Sequence, residues 1–182
     1  LGTDGNIKEG TATPYKTISL DARAWQPTTT SGCASVATQE EAGQDIDYDY
    51  LAFDKDTDEN AFVNIWMPGN WDAGVIQFRY LWTTEAGGAA ETVTFELAGG
   101  SFTDDDAIDQ ANGTAVEIAD TWTADGDSQY SAWSGDVTIA RAAAGEWVHF
   151  ELMRDVSEDD LGGDVRLIGV QIRYKEGSYN HF

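Results

Sequence analysis

A single cysteine, Cys33, excludes an internal disulfide, and with only two histidines, His149 and His181, the chain has too few soft ligands for a structural zinc site. The fold has to stand on packing. No apolar run approaches the roughly 18 residues of a membrane span. The opening residues, LGTDGNIKEG, hold no apolar segment of the signal-peptide kind. The expectation is a soluble chain without a membrane partner. It starts at Leu1 rather than Met, so residues upstream are expected and the missing leader says little about export. Positive charge is the third shortage: 10 Lys and Arg face 33 Asp and Glu, a net charge of -23 over 182 residues. Such a surface repels phosphate, which excludes nucleic-acid binding as a main role and disfavours an anionic membrane.

What is present is apolar and aromatic. Hydrophobic residues make up 41% and aromatics 12%, with seven each of Trp, Tyr and Phe, which excludes intrinsic disorder. A chain of this length buries roughly 70% of its unfolded surface as one domain. Asp (21) exceeds Glu (12) and Lys falls to 4, a skew that keeps a protein hydrated in concentrated salt. At a Debye length of about 3 Å the self-repulsion is screened, so a halophilic or marine source is expected.

Period-2 alternation runs from residue 15 to 175 and predicts about nine or ten short strands. Val63, Ile65 and Met67 share one face, with Phe62 and Trp66 on the other. Phe78, Tyr80 and Trp82 point one way and Gln77 and Arg79 the other. Val93, Phe95 and Leu97 read as core, as do Val148, Phe150 and Leu152, leaving Trp147, His149 and Glu151 outside. Glycine pairs and Asp clusters separate the strands. Thr103 as N-cap, Asp104 to Asp106 in the first turn and Gly113 as stop predict one short surface helix. The expected architecture is all-β, an antiparallel β-sandwich of jelly-roll type, with an arm over 1–14, the domain over 15–175 and a tail over 176–182.

Chemistry-bearing patterns are sparse. Asp54, Asp56 and Asp58 resemble the first half of a calcium loop, but Glu59 and Ile65 stand where an EF-hand needs Gly and Glu. A polar turn is the plainer account, with a noncanonical cation the lesser option. Asp45, Asp47 and Asp49 alternate with Ile46, Tyr48 and Tyr50. If the apolar set packs inward, the carboxylates form a solvated row; on a β-sandwich they also raise the alternative of a glycoside hydrolase. No GxSxG, HExxH, P-loop or dinucleotide fingerprint occurs. The outward Trp66 and Trp147 suit a subunit interface or stacking on sugar, which brings in a carbohydrate-binding module as an alternative. In the tail, Tyr179, His181 and Phe182 are candidate anchors on a neighbouring chain. Asn112 opens a glycosylation sequon, a weak signal.

Beyond these patterns, several strings in order are similar to a family of uncharacterised structural proteins of tailed viruses of bacteria and archaea. They are AWQPTTTSGCA (24–34), LAFD (51–54), MPGNWDAGVIQFRYLWT (67–83), DDDAID (104–109) running into GTAVEIADT (113–121), AAGEWVHFELMRD (143–155) and RLIGVQIRYK (166–175). The resemblance spans about residues 15 to 175 and carries no catalytic residue. It implies a virion protein on the particle exterior, as head decoration, vertex turret or fibre. The expected partners are copies of itself, other virion proteins and a host surface glycan, with no cofactor.

Overall fold

The computed structural model describes residues 14–177. Tyr179, His181 and Phe182, and most of the N-terminal arm, lie outside the described residues. The strands in chain order are β1 (Tyr15–Asp21), β2 (Gln26–Pro27), β3 (Ala37–Glu41), β4 (Ile46–Phe53), β5 (Glu59–Trp66), β6 (Gln77–Thr83), β7 (Thr92–Phe102), β8 (Val116–Thr121), β9 (Gln129–Tyr130), β10 (Trp147–Arg154) and β11 (Val165–Lys175). They form two sheets, all of whose strand pairs are antiparallel. One sheet runs β3-β4-β11-β6-β9 with β1 also on β11; the other runs β2-β5-β10-β7-β8. The result is a β-sandwich of jelly-roll type.

Alternation decides which side chains meet between the sheets. Phe78, Tyr80 and Trp82 of β6 and Val170, Ile172 and Tyr174 of β11 face Val93, Phe95 and Leu97 of β7 and Val148, Phe150 and Leu152 of β10, and all are buried. Phe95 sits at the centre, edge-on to Phe53 with ring centres 5.0 Å apart and 4.8 Å from Tyr80. The Tyr80 hydroxyl donates to the Val93 carbonyl at 2.9 Å, so this deep phenol is satisfied. Arg154 ends β10 inside the sandwich. Its Nε donates to Asp159 at 2.7 Å and its Nη1 to the carbonyls of Phe53, Asp54 and Gly163. A fully buried charge stands only with such pairing, and here the pairing ties β10 to the end of β4 and to the 155–164 loop.

Two expectations need correction. The segment from Thr103 to Gly113 is not a helix; the described residues hold only the 3-10 turns Ala22–Ala24 and Val156–Glu158. The Asp106 carboxylate accepts from both the backbone and the hydroxyl of Thr103, Asp105 has φ +66°, and Gly113 N–H donates to the Gly99 carbonyl. These bonds fold the segment back along β7, and the eleven residues from Thr103 to Gly113 are too few to offset helix nucleation against them. The facing of β4 is also the reverse of the expected one. Leu51 and Phe53 are the buried residues, so Asp47 and Asp49 share the core-side parity and Ile46, Tyr48 and Tyr50 lie on the outer side, Ile46 being 57% exposed. The β3–β4 hairpin overhangs the sandwich, where the core-side parity no longer meets apolar neighbours; Asp49 there receives Arg23. In β11 a bulge between Leu167 and Gly169 keeps both Leu167 and Val170 inward, which strict alternation forbids.

Candidate functional site

Three strands of the five-stranded sheet set the site. Register places Trp147 of β10 opposite Trp66 of β5 on one side and Phe102 of β7 on the other. Since the even residues of β5 and β7 and the odd residues of β10 point outward, these three rings form a row across the outer face. Trp147 and Phe102 have centres 5.0 Å apart; Trp66 is 70% exposed, Trp147 is half-buried, and Phe102 is buried and backs the row rather than opening to solvent. The next row is Asn64, His149 and Gly100, and the one after it Phe62, Glu151 and Ala98. Aromatic surface therefore gives way to polar groups within two residues along the strands.

The polar row is tightly placed. His149 Nδ1 lies 2.9 Å from Asn64 Oδ1, and its ring stands 5.6 Å from Phe62. The tautomer that donates to Asn64 leaves Nε2 as an acceptor, 4.0 Å from Glu151 Oε2. Two acceptors at that separation match the two protons of a vicinal diol.

The 103–115 segment walls one side of the face and closes a cavity of about 280 Å³ against Phe102, Trp147, His149 and Glu151. Arg141 fastens it, donating from Nε to the Ser101 carbonyl and from Nη1 to that of Ala111, both at 3.1 Å, with the guanidinium 5.3 Å over the Phe102 ring. This needs a glycine in the sheet beneath. A Cβ on Gly100 would stand 2.8 Å from Arg141 Nη2 and 3.2 Å from Asn112 Oδ1.

Of the residues singled out in the sequence, Trp66 and Trp147 are thus brought together, and Asn112 lies in the wall beside them. Phe102, Asn64 and Arg141 were missed. Phe102 shares the parity of Glu96 and Ala98 and was legible by counting along β7; Arg141 comes from a remote loop and left no local signal. Asp45, Asp47 and Asp49 lie on the other sheet's hairpin. Hydrogen bonds from Arg23 and Thr38 hold the Asp49 carboxyl below its ordinary range, and Asp45 sits in the turn at φ +53°. Asp54 and Asp58 accept from the backbone N–H groups of Asp56 and Val156, and Asp56 pairs with Lys55. Among the described residues no group of three or more His, Cys, Asp or Glu is placed to hold a metal ion. Burial pushes the Cys33 thiol up to about 12, so it stays protonated at neutral pH.

No protein-family model matches the sequence, and no curated protein does. Solved structures similar to the chain include a CBM36-1 domain of a multidomain xylanase from the hindgut metagenome of Trinervitermes trinervoides. It has 7% identity and a TM-score of 0.48, over 91% of this chain and 100% of that one. A carbohydrate-binding module specific for non-crystalline cellulose, CBM28, has 12% identity and a TM-score of 0.49, over 86% and 89%. The CBM22-2 xylan-binding domain from Paenibacillus barcinonensis Xyn10C has 11% identity and a TM-score of 0.47, over 87% and 99%. Identities this low bring none of the face's residues with them, so the chemistry rests on the face itself.

Proposed function

We propose that the protein is a non-catalytic glycan-binding module that holds a neutral sugar chain on the outer face of the five-stranded sheet. The observation that carries this reading is the cross-strand row Trp66, Trp147 and Phe102 beside the polar row of Asn64 and His149. A pyranose presents C–H bonds on its faces and hydroxyls at its rim. The faces suit the open indole of Trp66 and the half-buried one of Trp147, and the rim suits the His149 imidazole and Asn64 amide two residues further along the strands and the Glu151 carboxylate two beyond those. Glu151 and Asp109 at the cavity, in a chain of charge -23, favour a neutral ligand over an acidic one here.

The resemblance to structural proteins of tailed viruses supports a working place for such a face: the exterior of a particle, where host surface glycans are the partner and repeated copies add avidity. The test is titration calorimetry against soluble β-linked xylan, glucan and mannan oligosaccharides. At least one is expected to bind. Trp147→Ala is expected to weaken it by about 2 kcal/mol, roughly thirtyfold, with the Tm unchanged within a few degrees. Binding that survives Trp147→Ala, or no binding to any of the three, overturns the reading; release of shorter sugars on incubation replaces it with a hydrolase.

A further inference from the structure

The opposite face of the sandwich carries a second arrangement with the reverse electrostatics. On the six-stranded sheet, Gln77 and Arg79 of β6 and Gln171, Arg173 and Lys175 of β11 point outward, because their neighbours Phe78, Tyr80, Val170, Ile172 and Tyr174 are buried. Arg79 lies 5.3 Å over the Tyr130 ring and 4.8 Å over Trp133. Arg173 lies 4.3 Å over Trp133 and 4.4 Å over Tyr15, and Lys175 Nζ is 5.5 Å from Tyr15. Three aromatic rings and three cations therefore alternate in one continuous ladder across β9, β6, β11 and β1.

The ladder is braced from below. Arg79 Nε donates to Gln171 Oε1 at 2.8 Å and Gln171 Nε2 to Ser19 Oγ at 3.0 Å. Arg173 Nε donates to Gln77 Oε1 at 2.7 Å, and Gln77 Nε2 to Asp136 Oδ1 at 2.8 Å. Among the described residues each guanidinium is thus hydrogen-bonded through Nε alone, to a neutral amide. Neither Arg79, Arg173 nor Lys175 forms an ion pair with a described carboxylate, in a chain where 33 carboxylates compete for 10 cations. Fixing two guanidiniums between rings, with Nη atoms that bond to no other group among the described residues, is the preorganisation that planar recognition of an external carboxylate requires.

We propose that this face is a second binding surface, for sugar chains that carry carboxylates. Arg79 and Arg173 take uronate carboxyl groups, and the exposed rings of Tyr130 and Tyr15, 54% and 38% exposed, take the faces of the sugar rings between them. A cavity of about 210 Å³ beside Arg79, Tyr130, Gln171 and Ser19, lined also by Asp21, whose carboxylate is engaged by the Ala24 N–H, gives the uncharged part of one ring a seat at the end of the ladder. The charge of the whole chain opposes a second copy at this face, since two bodies of -23 repel, whereas an extended polyuronate presents its charges one at a time to the cationic strip.

The surface stands independently of the neutral-glycan face, and the experiment separates the two. Oligogalacturonate and, as the uncharged probe, xylohexaose are titrated into the wild-type protein, Arg79→Gln, Arg173→Gln and Trp147→Ala at fixed ionic strength, with oligomeric state followed by light scattering. Oligogalacturonate is expected to bind the wild type and Trp147→Ala alike, to lose at least about tenfold in affinity in each arginine variant, and to weaken as salt rises. Arg79→Lys, which keeps the charge and loses the fork, is expected to fall between. No binding of oligogalacturonate, or binding unchanged in both arginine variants, overturns the proposal. So does a dimer that the arginine variants dissolve, which would make the ladder a contact between copies. Loss of xylohexaose binding in Trp147→Ala bears on the other face alone.

Discussion

Glu96 stands on the outer side of β7, and burial raises its carboxyl above the ordinary range, with the nearby charges of Asp155, Glu117, Asp58 and Glu151 adding to the shift. A carboxyl whose pKa is higher in the folded than in the unfolded chain takes up a proton on folding. It therefore works against stability when ionised, and that deficit disappears as pH falls below the unfolded carboxyl's range. Glu96→Gln is expected to raise the Tm near pH 7 and to lose that advantage as pH drops toward 4 and below. Thermal melts of the two proteins across this range check it; a variant less stable near pH 7 would show that the ionised carboxylate is held by attraction instead. Asp106 has the opposite sign. Hydrogen bonds from the Thr103 backbone and hydroxyl pull it below its ordinary range, so its contribution is present near neutrality and lost as pH falls through the lowered value.

Among the elements, the 103–115 segment decides whether the aromatic row has a wall. It is fixed by Gly113, whose N–H donates to Gly99 and where a Cβ would stand 2.1 Å from the Thr138 carbonyl oxygen. That contact is with backbone on a segment bridged to β7 at Gly100, so it cannot turn aside as a side-chain tip would. Gly113→Ala is expected to destabilise by about 1–3 kcal/mol and to lift the wall from Trp147 and His149. The expected readout is a Tm lower by several degrees together with weaker neutral-glycan binding, and oligogalacturonate affinity unchanged in the folded fraction. Equal loss at both faces would place the damage in the sandwich as a whole. The acidic string at the start of this segment reads as a helix start by composition, yet the same side chains bond locally to the backbone and hold a turn. Short Asp-rich segments leave that competition open, and the bonds to β7 resolve it.

Across the whole molecule, charge is segregated rather than merely excessive. Three cations that form no ion pair with a described carboxylate gather on one face of a body with net charge -23, and the opposite face combines indoles with carboxylates. Lowering salt from molar to about 0.1 M lengthens the Debye length toward 10 Å and lets the excess carboxylates repel. The Tm is expected to fall on dilution of salt, and melts from molar to decimolar NaCl check it; a flat or rising midpoint would mean that self-repulsion contributes nothing. The sequence by itself determined the all-β class, the inward sets of β6, β7 and β10 and the outward Trp66 and Trp147, because alternation with period two is a local consequence of strand geometry. It could not say which strands become neighbours. Only the tertiary structure set Trp66, Trp147 and Phe102 in one row, brought Arg141 over Gly100 and lined up Arg79 and Arg173 on Trp133. It also turned the β4 hairpin so that Tyr50 faces out toward Arg166. Register and strand order arise from pairings between residues dozens to more than a hundred positions apart, and no local pattern of apolar and polar residues encodes them.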